Sequence, residues 1–215
     1  MGYIFQTNRY LILKRIEKNA HFVTGRVLDV GCGPMSRYRH LFDCSEYVKM
    51  DIAPGENVDV VGTAEAIPFP DESFDSIVCT ETINDVFEPV KAFAEFNRTL
   101  RKGGIILITC PSIAKQTDSA TDYWRFTRHS LRKLAEDSGF TVEVLEQRGA
   151  YWSTMAQLSI AYWILKLHVY DKWYERLFGI GASLVGKLSI SLDQFEKSVT
   201  KTSFTNGYLM IARKN

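Results

Sequence analysis

The sequence predicts an α/β fold built on a largely parallel sheet. Three observations carry this. Short apolar segments alternate with stretches of helical periodicity up to about residue 148, the order expected of strand–helix–strand units. Val27 to Val30 is an apolar run with one acid in it, as in a strand buried on both faces. Gly31-Cys32-Gly33-Pro34 follows at once. Its glycines allow a sharp turn and bring bare backbone close to a ligand. A strand, a Gly-rich turn and a following helix make a nucleotide-type crevice at the carboxyl edge of a sheet.

The elements read in order as follows. Residues 3–20 form a helix with Tyr3, Phe5, Tyr10, Leu11, Leu13 and Ile16 as apolar positions and Lys14, Arg15 and Lys18 at its basic end, where the dipole favours cations. Gly25 closes it. After the first strand and its turn comes a short segment, residues 37–42, whose Tyr38, Leu41 and Phe42 pack on the sheet. Residues 47–52 are the second strand and 58–62 a short outer one. Two prolines, Pro68 and Pro70, preclude regular structure in the next loop. Residues 74–80 form the fourth strand, with Glu81, Asn84 and Asp85 just past it at the crevice edge. A helix runs from Glu88-Pro89 through Leu100, closed by Lys102-Gly103-Gly104, where glycine suits a left-handed cap. Ile105 to Cys110 is the most apolar strand and belongs at the centre. Thr127 caps a helix to about Ser138, which Gly139 ends. Residues 141–147 and 208–212 are the last strands, the latter entered through Asn206-Gly207, a hairpin-type turn.

Bulk properties bound the function. The chain has 215 residues, 46% of them apolar, with 26 basic and 25 acidic side chains and a net charge of +1. One domain is the expected count, and no global field points to nucleic acid. Cys32, Cys44, Cys79 and Cys110 form no CxxC pair, so reduced thiols and no metal site are expected. The first residues lack a signal-peptide pattern, and no apolar run approaches the roughly 18 residues of a membrane span. A cytoplasmic protein is expected, membrane-peripheral if residues 151–190 touch lipid.

The sign of the charge selects the ligand. A dinucleotide places its pyrophosphate on the turn and tolerates no anion beside it. Here Asp29 stands two residues before Gly31, and Ser36 replaces the third glycine of G-x-G-x-x-G. A carboxylate there repels phosphate and attracts an ammonium or sulfonium, which favours S-adenosylmethionine over NAD. The alternative is an Asp that only caps the turn. Asp51 lies 20 residues after Gly31, the spacing at which an acid reaches ribose hydroxyls; the alternative there is a surface acid at a strand end.

These residues resemble a known family. LDVGCGP at 28–34, MDI at 50–52, GTAEAIPFPDESFDSIVCTE at 62–81 and FNRTLRKGGIILITCPS at 96–112 resemble class I S-adenosylmethionine-dependent methyltransferases, within them the methyltransferase type 11 group of small-molecule enzymes. DYWRFTRHSLRKLAEDSGF at 122–140 is similar to a subgroup associated with bacterial glycan or lipid modification. The resemblance covers residues 26–147 and 206–214. It implies a Rossmann-like seven-stranded sheet, order 3-2-1-4-5-7-6 with strand 7 antiparallel, and helices on both faces. It implies S-adenosyl-L-methionine as cofactor, with Asp29, Gly31 and Gly33 at the methionine end, Asp51 on the ribose, and Ile52, Ala64 and Glu65 around the adenine. Thr80 would offer its carbonyl to the cofactor's amino group. Two positions depart from the family: Met35 stands where a third glycine is common, and Asn84-Asp85 where many members have Glu-His.

The implied reaction is in-line displacement of a methyl group from a sulfonium, in which positioning and desolvation supply much of the rate. A hydroxyl acceptor also needs a base, for which Asp85, Asp122 and His129 are the candidates in that order. Tyr123, Trp124 and Arg125 are the candidate substrate-side cluster, with Arg125 as a clamp for carboxylate or phosphate. The alternative is that the aromatics are core and Arg125 pairs with a scaffold acid.

Residues 1–148 with 206–215 are then the cofactor-binding core, and 149–205 an inserted helical cap. Trp152, Trp163 and Trp173 crowd into it, and Leu177, Ile180, Leu184 and Leu188 recur at helical spacing. The cap buries its own apolar face, forms a homodimer, or meets a lipid surface as an interfacial element. The acceptor is expected to be a small molecule, glycan or lipid-linked group. A catalytically silent cofactor-binding sensor and an NAD-linked reductase are the competing functions.

Overall fold

A computed structural model describes residues 4–117, 119–196 and 202–215; Tyr3 of the expected first helix and residues 197–201 of the expected cap lie outside these. Helix α1 (Thr7–Asn19) precedes strands β1 (Arg26–Val30), β2 (Glu46–Asp51), β3 (Val60–Val61) and β4 (Phe74–Thr80). Helix α2 (Pro89–Thr99), β5 (Leu100–Pro111), α3 (Arg128–Asp137) and β6 (Phe140–Arg148) follow. Helices α4 (Tyr151–Leu167) and α5 (Glu175–Asp193) then lead to β7 (Gly207–Lys214). The strands form one seven-stranded sheet in the order β3-β2-β1-β4-β5-β7-β6, with β7 antiparallel to both neighbours and the others parallel. This is the expected topology.

The two-residue period of a strand divides the core into two. Leu28, Ile77, Ile106 and Met210 face α2 and α3 through Phe93, Phe96 and Leu131. Their neighbours Val27, Val78, Leu107 and Leu209 face α1 through Ile12 and Ile16. Burial on both sides explains why these strands are apolar runs rather than alternating ones. The crevice therefore sits on a rigid edge.

Four local expectations are corrected. No α-helix follows the glycine turn; one 3-10 turn, Arg39–Leu41, is all that lies between β1 and β2, because Pro34 lacks an amide hydrogen and Ser36 takes φ 39°, outside the right-handed helix region. The outer strand shrinks to two residues at the sheet edge. Helix α2 ends in extended backbone at Leu100, so Gly103, at φ 75°, serves the irregular start of β5 rather than a helix cap. Asn206-Gly207 is not a hairpin turn. Gly207 pairs with Arg148 on one side and Pro111 on the other, and a Cβ there would lie 2.1 Å from the Cys110 carbonyl oxygen; close approach of three strands requires the glycine.

Helices α4 and α5 pack on each other and on the start of the chain through Ile4, Ile160, Val169 and Ala182. Asp193, near the end of α5, accepts hydrogen bonds from the backbone N–H of Ala150 (2.8 Å), Trp152 (3.0 Å) and Ser153 (3.2 Å). Its carboxylate thus satisfies the free amides at the N-terminus of α4, where negative charge is favoured.

Candidate functional site

Three joined lobes open at the carboxyl edge of the sheet. The first, about 330 Å³, is lined by Gly31, Asp51, Ile52, Ala64, Glu65 and Thr80, with Asp85 at its inner end. The second, about 300 Å³, runs under the glycine turn between Asp29, Gly33, Met35, Tyr38, Arg9 and Gln157. The third, about 290 Å³, lies between the β4 and β5 ends and α4, with Asn84, Asp85, Arg125, Leu158 and Asn206 in its wall. Glu81 lines all three.

The glycine turn is held by three hydrogen bonds to two partners. Gly31 and Cys32 donate their N–H to the Met50 carbonyl (2.9 and 3.1 Å), and Gly33 donates to Asp51 Oδ2 (2.9 Å). Gly31 and Gly33 take φ of 70° and 61°, which side chains disfavour. A Cβ on Gly31 would fall 2.2 Å from Thr82 Oγ1, whereas one on Gly33 would meet no atom within 4 Å and would project into open cleft. That bare backbone faces the second lobe and leaves room for a ligand to lie against it.

Acidic groups ring this turn. Asp29 is 4% exposed, and its Oδ2 accepts from Tyr47 Oη (2.9 Å) and Ser36 Oγ (3.0 Å). Burial pushes its carboxyl up to about 6, the two hydroxyls opposing the rise. Asp51 divides its oxygens between Gly33 and Ala53 N–H, and Ile52 is 69% exposed at the rim. Glu65 accepts from Glu88 N–H (2.8 Å). Burial pushes the Cys32 thiol to about 11, so no thiolate nucleophile stands at the turn near neutral pH.

The structure separates the three candidate bases. Asp85 lines the first and third lobes and accepts from Asn84 Nδ2 (2.8 Å). Burial, then the charge of Asp122, raises its pKa. Asp122 lines the third lobe, but Arg125 grips both its oxygens (2.5 and 2.8 Å) and Thr117 N–H donates to Oδ2 (2.8 Å). The Arg125 hydrogen bonds hold its carboxyl well below the usual range, which leaves a poor proton acceptor. His129 is exposed on the first turn of α3 and lines none of the three lobes.

The expected substrate cluster is likewise rearranged. Tyr123 and Trp124 line none of the lobes. Their backbone N–H groups bond to the Asn84 carbonyl, and Trp124 Nε1 donates to the Val86 carbonyl (2.9 Å), so they brace the loop that carries Asp85. Arg125 does line the third lobe, but its guanidinium is engaged by Asp122 and by the carbonyls of Trp124 and Lys115.

Arg148 and its pairing with Glu81 escaped the sequence. Glu81, in left-handed backbone at φ 54°, places Oε1 2.9 Å from Nη2 of Arg148. Arg148 is 0% exposed and also donates to the Cys110 carbonyl (2.7 Å). Strained backbone at a cleft junction is a recurrent functional signature. The one sequence signal was the position of Glu81 at a strand mouth; nothing local betrayed Arg148, which arrives from the sheet's far edge.

Residues 28–108 match the family model described as a methyltransferase domain. The chain is similar to the uncharacterized methyltransferase YcgJ of Bacillus subtilis, 32% identical over 54% of this chain and 44% of that one. It is similar to the demethylmenaquinone methyltransferase of Renibacterium salmoninarum, 27% identical over 72% of this chain and 70% of that one. The match thus spans less than half the length of the first relative. Among solved structures, the [4+2]-cyclase SpnF superposes with a TM-score of 0.61 at 18% identity, covering 96% of this chain and 81% of that one. A phosphoethanolamine N-methyltransferase of Haemonchus contortus, in complex with S-adenosylhomocysteine, does so with a TM-score of 0.59 at 16% identity, over 96% of this chain and 53% of that one. At these identities the two structures attest the fold alone.

Proposed function

We propose that this chain is a class I S-adenosylmethionine-dependent methyltransferase, its residues 28–108 matching a methyltransferase domain, and that it transfers a methyl group from S-adenosylmethionine to a small acceptor held in the third lobe. The observation that carries the reading is the meeting of the three lobes at Glu81, with Asp85 shared by the first and third. Asp51 would bind the ribose hydroxyls, a carboxylate being suited to accept from a diol, and Ile52, Ala64 and Glu65 would flank the adenine. Asp29 would favour the cationic methionine end, beside Gly31, Gly33 and the Thr80 carbonyl, with Arg9 and Arg37 of the second lobe available to its carboxylate. Bound there, S-adenosylmethionine supplies an electrophilic methyl group on a sulfonium. Asp85 takes the proton of an acceptor hydroxyl; burial raises its pKa above the ordinary carboxylate value and so makes it a stronger base.

The test is titration calorimetry with S-adenosylmethionine, followed by transfer of labelled methyl to candidate acceptors. Quinone-type molecules, named for the second relative, are assayed beside polar small molecules. Binding without transfer to any acceptor would favour a sensor. Asp51→Ala is expected to weaken cofactor binding by about 1.5–3 kcal/mol, as for a lost charged hydrogen bond; an unchanged dissociation constant would remove Asp51 from the ribose.

A second surface favours peripheral contact with lipid. Leu177, Ile180, Leu184 and Leu188 make an exposed apolar stripe along α5, extended by Trp173, 89% exposed, in the turn before it. Lys166 on α4, Lys172 in the turn between α4 and α5, and Arg176 and Lys187 on α5 are exposed as well, matching the charge of anionic headgroups. No helix among the described residues is long and apolar enough to cross a membrane. The chain is expected to float with anionic vesicles at low salt and to lose this in Trp173→Ser/Leu184→Ser. Failure to float, with a dimer in solution, would assign the stripe to a second copy instead.

A further inference from the structure

Arg148 is a cation that the fold alone does not account for. It is wholly buried in β6. Its Nη2 donates to the Cys110 carbonyl (2.7 Å) and lies 2.9 Å from Glu81 Oε1, while Nε and Nη1 have no hydrogen-bond partner among the described residues. Gly207 of β7 makes room for the guanidinium, since a Cβ there would fall 2.2 Å from Nη2. A buried charge satisfied at one nitrogen is costly, and a well-packed apolar side chain is often the more stable choice. What the arrangement serves is Glu81. Arg148 gives the buried Oε1 of Glu81 the opposite charge it needs. The Glu81 N–H is fixed by the Thr109 carbonyl (2.9 Å) and Oγ1 (3.1 Å). The side chain remains 30% exposed.

The place of Glu81 says what it can read. The sulfonium of S-adenosylmethionine carries three groups: the amino-acid chain, the adenosyl group and the methyl to be passed on. On the proposed function these belong to the second, first and third lobes, so the sulfur belongs where the lobes meet. Among the described residues Glu81 alone lines all three; Asp29 lines the second only, and Asp85 the first and third. Arg148 lines none of them, so Glu81 stands between its charge and the cleft. Transfer leaves the electron pair of the sulfur–methyl bond on sulfur, and the spent cofactor is a neutral thioether. A carboxylate at the junction therefore attracts the reactant and not the product. Resting on the proposed methyl transfer, we infer that Glu81 reads the sulfonium charge, so that the site prefers S-adenosylmethionine to S-adenosylhomocysteine, and that Arg148 is the positioning residue that holds its carboxylate at the junction.

The test is calorimetric titration of the full chain with S-adenosylmethionine and with S-adenosylhomocysteine. Glu81→Gln removes the charge and keeps an acceptor for Arg148. It is expected to weaken S-adenosylmethionine by about tenfold or more, as for a lost charged contact, with S-adenosylhomocysteine kept within about threefold. Arg148→Met is expected to lose the same preference and Arg148→Lys to keep most of it. The double variant Glu81→Gln/Arg148→Met should lose no more than Glu81→Gln, because both changes act through one carboxylate. Should Arg148→Met not fold, Glu81→Gln and Arg148→Lys carry the test. Equal losses for the two ligands in Glu81→Gln would put the carboxylate at the amino group they share and overturn the inference, as would an unchanged preference. A preference that survives in folded Arg148→Met would overturn the role of Arg148. These results leave the methyltransferase reading standing; wild-type protein that binds neither ligand would overturn both.

Discussion

Asp85→Asn is expected to lower kcat by about a hundredfold to ten-thousandfold, the range for removal of a general base, with little change in S-adenosylmethionine affinity. The expectation rests on position and acidity together. Asp85 is the candidate base whose carboxylate lines both the cofactor-side and the acceptor-side lobes. Asn84 Nδ2 orients it from one side, and Tyr123 and Trp124 fix its loop through the Asn84 carbonyl. Its pKa is raised, chiefly by burial, so the wild-type rate should climb with pH as the carboxyl ionises and then level. The variant should lose that limb of the profile. Single-turnover transfer to a hydroxyl acceptor across pH checks it. An undiminished rate, or a rate limb that persists in the variant, would remove Asp85 from proton transfer. Asp122→Asn should instead loosen the Arg125 loop and act on acceptor affinity, since Asp122 is tied to Arg125 and Thr117.

The parts legible in the sequence are those fixed by local rules. Consecutive apolar residues along Val27-Leu28 and Ile106-Leu107 gave the central strands, because a strand packed on both faces must be apolar at consecutive positions. Gly31, Gly33 and Asp51 were legible because a tight turn and its acid partner lie at fixed spacing, and Gly33 N–H does meet Asp51. The failures share a different cause. Tyr123-Trp124-Arg125 looks like a recognition cluster in one dimension, but Arg125 finds Asp122 three residues away and the aromatics turn to brace a loop. The helix expected after the turn fails because Pro34 and the backbone of Ser36 oppose it. Gly207 reads as a turn yet answers to Cys110 and Arg148, far away in the chain. The third lobe was invisible because Asn8, Asn84 and Asn206 meet only when the first helix, β4 and β7 are brought together.

Asp29 is where stability and function oppose one another. Its folded pKa of about 6 exceeds the ordinary 3.8, so between those values the folded state holds a proton that the unfolded chain has released. The sign follows by linkage: this group's contribution to stability is complete below about 3.8 and is lost as pH rises through about 6. Above that, the buried carboxylate destabilises the free protein by up to about 3 kcal/mol, taking about 1.4 kcal/mol per pH unit. Asn at this position keeps an oxygen for Tyr47 and Ser36 and removes the charge. A destabilising charge beside a glycine cradle is retained, on this account, because the guest there is a cation, and stability is commonly sacrificed in this way at binding sites.

The measurement that decides is therefore a paired one on Asp29→Asn at pH 7.5: thermal unfolding of the free protein, and calorimetric titration with S-adenosylmethionine and with NADH. The account predicts a higher melting temperature together with an S-adenosylmethionine affinity weaker by about 1.5–3 kcal/mol, the range for a lost charged contact, and no NADH binding by the wild type. An unchanged or tighter S-adenosylmethionine affinity in the variant, or wild-type protein that prefers NADH, would contradict it.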